Sequence, residues 1–147
     1  MCEREKELFL IDIIVAIEKI KKIASKFENS EDLKYDFLHW DSIIREFEII
    51  GEAMRYSINF KLFENDKEKR AVVDFRNILT HKYFGIDPDE VLNIAKTKLD
   101  WLESLVINRI LKIEKSKRNE LLDYLIEENF YLPFVVEKLE KIKNESK

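Results

Sequence analysis

The 147-residue chain has one cysteine, two glycines, two prolines and no glutamine. A lone cysteine, Cys2, excludes an internal disulfide framework and leaves too little sulfur for a thiolate metal site, so a reducing, cytoplasmic setting is expected. So few Gly and Pro residues set the chain apart from disordered and fibrous sequences. The lack of Gln beside abundant Lys, Glu and Ile is a composition found in heat-adapted proteins. No uncharged run approaches the ~18 apolar residues that span a bilayer, and the most apolar early stretch, residues 8–17, is broken by Asp12. Glu3, Arg4, Glu5, Lys6 and Glu7 precede that stretch, a mixed-charge lead unlike the basic head of a secretory signal, so neither export nor membrane insertion is expected. Positive charge is not in excess either: 26 Lys and Arg face 30 Asp and Glu, a net charge of −4. The chain as a whole therefore does not attract a polyanion, and any nucleic-acid role needs a local basic site.

What is present is helical periodicity. Leu10, Ile13, Ile14, Ile17, Ile20, Ala24 and Phe27 recur at steps of three, four and seven, the spacing of one apolar helix stripe, and predict a first helix over about residues 5–27. Asn29, Ser30, Glu31 and Asp32 supply side chains that satisfy the free N–H groups of a helix start. Ile43, Ile44, Phe47, Ile50, Met54 and Ile58 predict a second long helix over about residues 40–60, with Gly51 where a neighbouring backbone can approach closely. A charged connector, residues 64–70, leads to a third helix carrying Val72, Phe75, Ile78, Leu79 and Tyr83, which Gly85 is expected to end with a left-handed cap. In Ile86-Asp87-Pro88-Asp89-Glu90-Val91, Asp87 suits the cap, Pro88 the first helical position, Glu90 a capping box, and Ile86 with Val91 a hydrophobic staple. The fourth helix should start here and extend as far as Ile113. Residues 119–129 and, after the Pro133 break, 134–143 predict two more helices. With no alternating β-branched segment, the expected fold is all-α: an up-and-down bundle of four to five helices over residues 1–106, and a helical extension, 107–147, packed on the same domain.

Two histidines can be weighed individually. His39, without a partner at a defined spacing, reads as structural. His81 stands in Arg76-Asn77-Ile78-Leu79-Thr80-His81-Lys82-Tyr83, where groups suited to phosphate chemistry crowd together. On an ideal helix Arg76 and Tyr83 point within about 20° of each other, whereas His81 lies about 140° from Arg76. For Arg76 and His81 to touch one phosphate, the helix must unwind near Gly85 or a second copy must complete the site. Asn77 and His81 share a face, so the Asn amide is placed to orient the imidazole.

This octapeptide resembles the signature of the HEPN superfamily and, within it, of the HepT-like toxins: Arg, a polar residue, three more residues, His, one residue, Tyr. Ile49-Ile50-Gly51-Glu52-Ala53 is similar to the family's second-helix motif, and Gly85-Ile86-Asp87 to its turn after the catalytic helix. The resemblance spans about residues 8–105. It implies a HEPN-like bundle that dimerises with both Arg/His motifs facing a shared cleft. It further implies a metal-independent endoribonuclease acting on tRNA or mRNA without a cofactor, with Arg76 and His81 catalytic and Asn77 supporting. The implied partner is a small MntA-like nucleotidyltransferase antitoxin, which inactivates the toxin by AMP transfer to the motif tyrosine, here Tyr83. In relatives a Leu-Pro pair often stands where this chain has Leu99-Asp100-Trp101-Leu102, and the residues after Val106 have no counterpart.

Histidine can act as acid or base in RNA cleavage, and arginine clamps phosphate with a fixed fork of donors. The ordinary alternatives are an Arg76 paired with surface carboxylates, a His81 bonded to a helix-end carbonyl and a core Tyr83. Glu52 reads as an ion-paired or solvated carboxylate, or as a support for the motif across the helix pair. Arg109, Lys112, Lys115, Lys117 and Arg118 form the most basic stretch, either a solvated face or an RNA-backbone contact. The rival function is a non-catalytic helical module that holds a nucleotide or docks a nucleotidyltransferase.

Overall fold

The computed structural model describes residues 5–82 and 85–145. Its elements, in chain order, are α1 (Leu8–Ala24), α2 (Ser30–Lys34), α3 (Phe37–Asn59), α4 (Lys67–His81), α5 (Pro88–Thr97), α6 (Leu99–Ile110), α7 (Lys115–Glu128) and α8 (Pro133–Glu145). The described residues contain no strand, and no helix among them is long and apolar enough to cross a membrane. The chain is the all-α bundle expected, cut into more pieces than the periodicity showed. Cys2 and Tyr83 lie outside the described residues.

Side-chain caps explain most of the helix starts. Asn29 Oδ1 accepts from the Asp32 amide, Asp36 from that of His39, Asp66 from that of Lys69, and Asp87 from that of Asp89. Asp87 with Pro88 at the first position is the start read in the sequence. Asp36 and Asp66 move two starts earlier than expected, and α4 begins inside what reads as a charged connector. The other end of α4 also differs. Helical bonding stops at His81 with Lys82 as the cap residue, so Gly85 is too far along to be the left-handed cap; its amide instead closes a turn onto the Lys82 carbonyl at 2.8 Å.

The fourth predicted helix is two helices. Nothing breaks the apolar pattern between residues 91 and 110, and neither Gly nor Pro marks the joint at Lys98. There the Thr97 hydroxyl donates back to the Asn93 carbonyl at 2.7 Å, a bond that bends helices. Lys21 of α1 then takes hold of the first turns of α6, reaching Asp100 at 2.9 Å and Glu103 at 2.5 Å.

α1 is the hub of the bundle. Leu10, Ile13, Ile14, Ile17 and Ile20 are wholly buried as the stripe predicts, but so are Ile11 and Ala16 on other faces, because α3, α5, α6 and α8 all pack around it. The C-terminal segment joins the same core through Leu122, Val135, Leu139 and Ile142. Arg118 is buried there, donating to the Leu111 and Ile113 carbonyls at the end of α6.

Glu103 ties three helices together, pairing with Lys21 of α1 and Lys138 of α8. Burial pushes its carboxyl up, but hydrogen bonds from Lys138 and Lys21 outweigh burial and hold it below the ordinary carboxylate range. Its contribution to stability is thus full above the unfolded-state value near 4.5 and is lost as the pH falls through the lower folded value. We expect Glu103→Gln to melt below the wild type at neutral pH. The gap should close on acidification below about pH 4, as read by thermal melts across pH.

Candidate active site

A tight contact between two helices sets this site. Gly51 of α3 lies against α4 so closely that a Cβ there would stand 2.0 Å from Arg76 Cβ, 2.7 Å from Arg76 Cγ and 3.3 Å from the Val72 carbonyl oxygen. Only a residue without a Cβ admits this approach. One residue along, Glu52 projects into the seam and meets two guanidinium groups. Arg55 donates to Glu52 Oε1 at 2.5 Å, and Arg76 Nη2 stands 3.2 Å from Oε2, an ion-pair contact without hydrogen-bond alignment. The hydrogen bond from Arg55, joined by the charges of Arg55 and Arg76, holds the Glu52 carboxyl below its usual range against an opposing effect of burial. Arg76 Nη1 also donates to Asn77 Oδ1 at 3.0 Å.

Asn77 therefore braces Arg76 and not, as its spacing suggested, the imidazole of His81. His81 is the last residue of α4 and is exposed. Just before it, Thr80 donates to Glu48 Oε2 across the seam at 3.1 Å, which pins this end of α4 to α3. The helix is unbroken between Arg76 and His81, so the two side chains keep the separation of about 140° that ideal geometry gives. Of the four motif residues, the structure brings Arg76 and Asn77 together, sets His81 on a different side of the helix from Arg76, and does not describe Tyr83.

Other expectations resolve by contact. His39 has a structural environment: Nδ1 lies 2.9 Å from Asp36 Oδ2 and its ring meets Phe27 edge-on at 5.3 Å. The basic stretch is largely occupied within the fold. Arg109 donates to the Leu62 carbonyl at 2.9 Å, Lys117 pairs with Glu5 and Glu7, and Arg118 is buried on carbonyls. The sequence offers Glu52 either as an ordinary ion-paired or solvated carboxylate or as a support for the motif across the helix pair, and Arg55 carries no signal at all. A carboxylate with arginines at i+3 and on a neighbouring helix is visible only once the register of that helix is known.

α4 has a second side. Apart from Leu79 its buried surface is slight, and it packs chiefly on α3. Ala71, Phe75 and Ile78 line a groove together with Phe47 and Ile50 of α3, Ile94 of α5 and Trp101 of α6. Ile78 and Trp101 are 45% and 44% exposed. No group of His, Cys, Asp and Glu among the described residues is arranged to hold a metal ion.

The family described as Ribonuclease HepT-like matches residues 13–109, which takes in α3, the seam and the whole Arg76-to-His81 motif. The chain belongs to the HepT-like ribonuclease family. "Putative RNase MJ1380" of Methanocaldococcus jannaschii is 35% identical over 88 residues, covering 59% of this chain and 80% of that protein. "Putative RNase MJ1216" of the same organism is 26% identical over 127 residues, covering 82% of this chain and the full length of the relative. "Gamma-glutamylcyclotransferase and putative RNase MJ0434", also from that organism, is 26% identical over 118 residues; the match covers 80% of this chain and spans about half of the relative, 53%. No solved structure matches. As a HepT-like ribonuclease the chain is an enzyme whose substrate is RNA, and the family match ends at residue 109, before α7 and α8.

Proposed function

We propose that this HepT-like ribonuclease is a metal-independent endoribonuclease toxin that works as a homodimer in the cytoplasm and cleaves tRNA or mRNA with Arg76 and His81. The observation that carries the reading is the disposition of α4: Arg76 held at the α3 seam by Glu52, His81 exposed at the helix end, and an open apolar groove alongside in which Ile78 and Trp101 are exposed. A regular helix separates the two groups by about 140°, so one phosphate meets both most simply when a second copy supplies the second motif.

The chemistry follows from the groups. One His81 takes the proton of the ribose 2′-OH as that oxygen attacks the adjacent phosphorus. The other His81 delivers a proton to the departing 5′-oxygen, leaving a 2′,3′-cyclic phosphate. Arg76 clamps the non-bridging oxygens and stabilises the charge that grows on them. No step calls for a metal. A nucleotidyltransferase antitoxin of the MntA type neutralises the toxin by transferring AMP from ATP to the Tyr83 hydroxyl, with pyrophosphate as the leaving group. The adduct would set a competing phosphate and a base beside the cleft.

The test is cleavage of total RNA in EDTA by protein freed of AMP with phosphodiesterase, and a mixing experiment. We expect cleavage that EDTA does not reduce, with cyclic phosphate ends. Wild-type and His81→Ala subunits mixed equally and allowed to exchange should cleave at about a quarter of the wild-type rate, because a mixed dimer keeps one His81 where the mechanism uses two. EDTA-sensitive cleavage overturns the metal-independent mechanism, and a rate of about half, the value that simple dilution gives, overturns the shared site. Absence of any cleavage by unmodified protein favours the non-catalytic module that docks a nucleotidyltransferase.

A further inference from the structure

Glu52 gathers two arginines, and the motif accounts for only one of them. Arg55 is the other, and it is built to be held still. Its guanidinium lies 4.7 Å over the Tyr56 ring, and that ring is stacked on Phe9 at 4.7 Å and next to Phe60 at 6.3 Å, with interplanar angles of 14° and 18°. With Glu52 on one edge and Tyr56 beneath, Arg55 loses little freedom on binding a ligand, and its side chain is still 43% exposed. One donor reaches Glu52, which leaves others of the five N–H groups to face outward. Because Arg55 and Arg76 contact opposite oxygens of one carboxylate, two phosphate-binding forks stand side by side along the seam. Of the basic stretch that the sequence offers for RNA contact, Arg109, Lys117 and Arg118 are meanwhile engaged by Leu62, Glu5, Glu7 and the end of α6.

We propose that Arg55 is a second RNA-binding residue: it holds the phosphate next to the one clamped by Arg76, and Glu52 sets the spacing of the two forks. This rests on the ribonuclease reading of Arg76 and deepens it. The substrate then runs along the α3–α4 seam from His81 past Arg76 to Arg55, in an acidic protein whose net charge of −4 would otherwise repel it.

The experiment measures binding of a 2′-O-methyl oligouridylate, which lacks the attacking hydroxyl, as a function of salt, together with cleavage kinetics of the matching RNA. Each phosphate contact with a single strand contributes about 0.7 to the slope of log K against log salt. We expect Arg55→Ala to weaken binding about tenfold and to lower the slope by about 0.7, with the kinetic loss mainly in KM. Arg55→Lys should restore the slope, since a point charge still holds a phosphate. An Arg55 that only braces Glu52, and through it Arg76, would lower kcat and leave the slope as it was; that result, or an unchanged affinity, overturns the proposal. If the wild type cleaves RNA while Arg55→Ala behaves like it, Arg55 alone is misassigned. If the wild type neither binds nor cleaves, the ribonuclease reading of the site has failed.

Discussion

Replacing His81 with alanine is expected to cut single-turnover RNA cleavage by about 10²–10⁴-fold, the usual contribution of a positioned acid or base. The loss should fall on kcat, because Arg76 remains braced by Glu52 and Asn77 and can still clamp the substrate phosphate. In a homodimer one substitution removes both proton-transfer groups, which places the effect toward the upper end of that range. His81 is exposed at a helix end, so the variant should melt within about 0.5 kcal/mol of the wild type. Cleavage at wild-type rate by a folded variant would take the proton transfers away from His81. A large drop in melting temperature would mean that the imidazole serves the fold instead.

Much of this site is legible in the amino-acid sequence because its parts are local. The stripe at Ile43, Ile44, Phe47, Ile50, Met54 and Ile58 predicts which face of α3 turns inward: four of the six are buried, and Ile44 and Ile58 are half-buried at its edge. Gly51, read as a place of close backbone approach, is where α4 meets α3. Asp87 and Pro88 fix the start of α5 by chemistry confined to a few residues. The pieces that escape are mostly relations between distant residues. Asn77 shares a face with His81, yet it turns to Arg76, since a charged donor next to it in sequence is the stronger partner. Arg118 counts as surface charge until the carbonyls at the end of α6 give it a buried role. The joint at Lys98 comes from a threonine back-bond and a lysine clamp from another helix, and neither leaves a trace in hydrophobic periodicity. Periodicity shows which side of a helix is apolar, whereas the depth to which α1 is surrounded depends on how many neighbours choose it.

Gly51→Ala should damage the protein, although helix propensity alone argues the other way. In a helix interior, alanine gains up to about 1 kcal/mol over glycine. Here the added carbon falls 2.0 Å from Arg76 Cβ, an atom rigidly attached to the α4 backbone and unable to rotate aside. α4 must move off α3, and it has few other contacts to keep it in place, since Leu79 is its one buried apolar residue. Overpacking of this kind costs about 1–3 kcal/mol, which outweighs the propensity gain at all but the lower end. Activity should suffer more than stability. A shift of about 1 Å carries Arg76 out of reach of Glu52 on α3 and out of line with its phosphate, a displacement worth about 10²-fold in rate. Assays well below the melting temperature separate the two effects, because a folded but inactive protein puts the loss in the seam. If Gly51→Ala were instead more stable and as active as wild type, the close approach of α3 to α4 would not be what aligns Arg76. Glu52 and Asn77 would then have to hold the guanidinium in line on their own, without help from the helix packing beneath them.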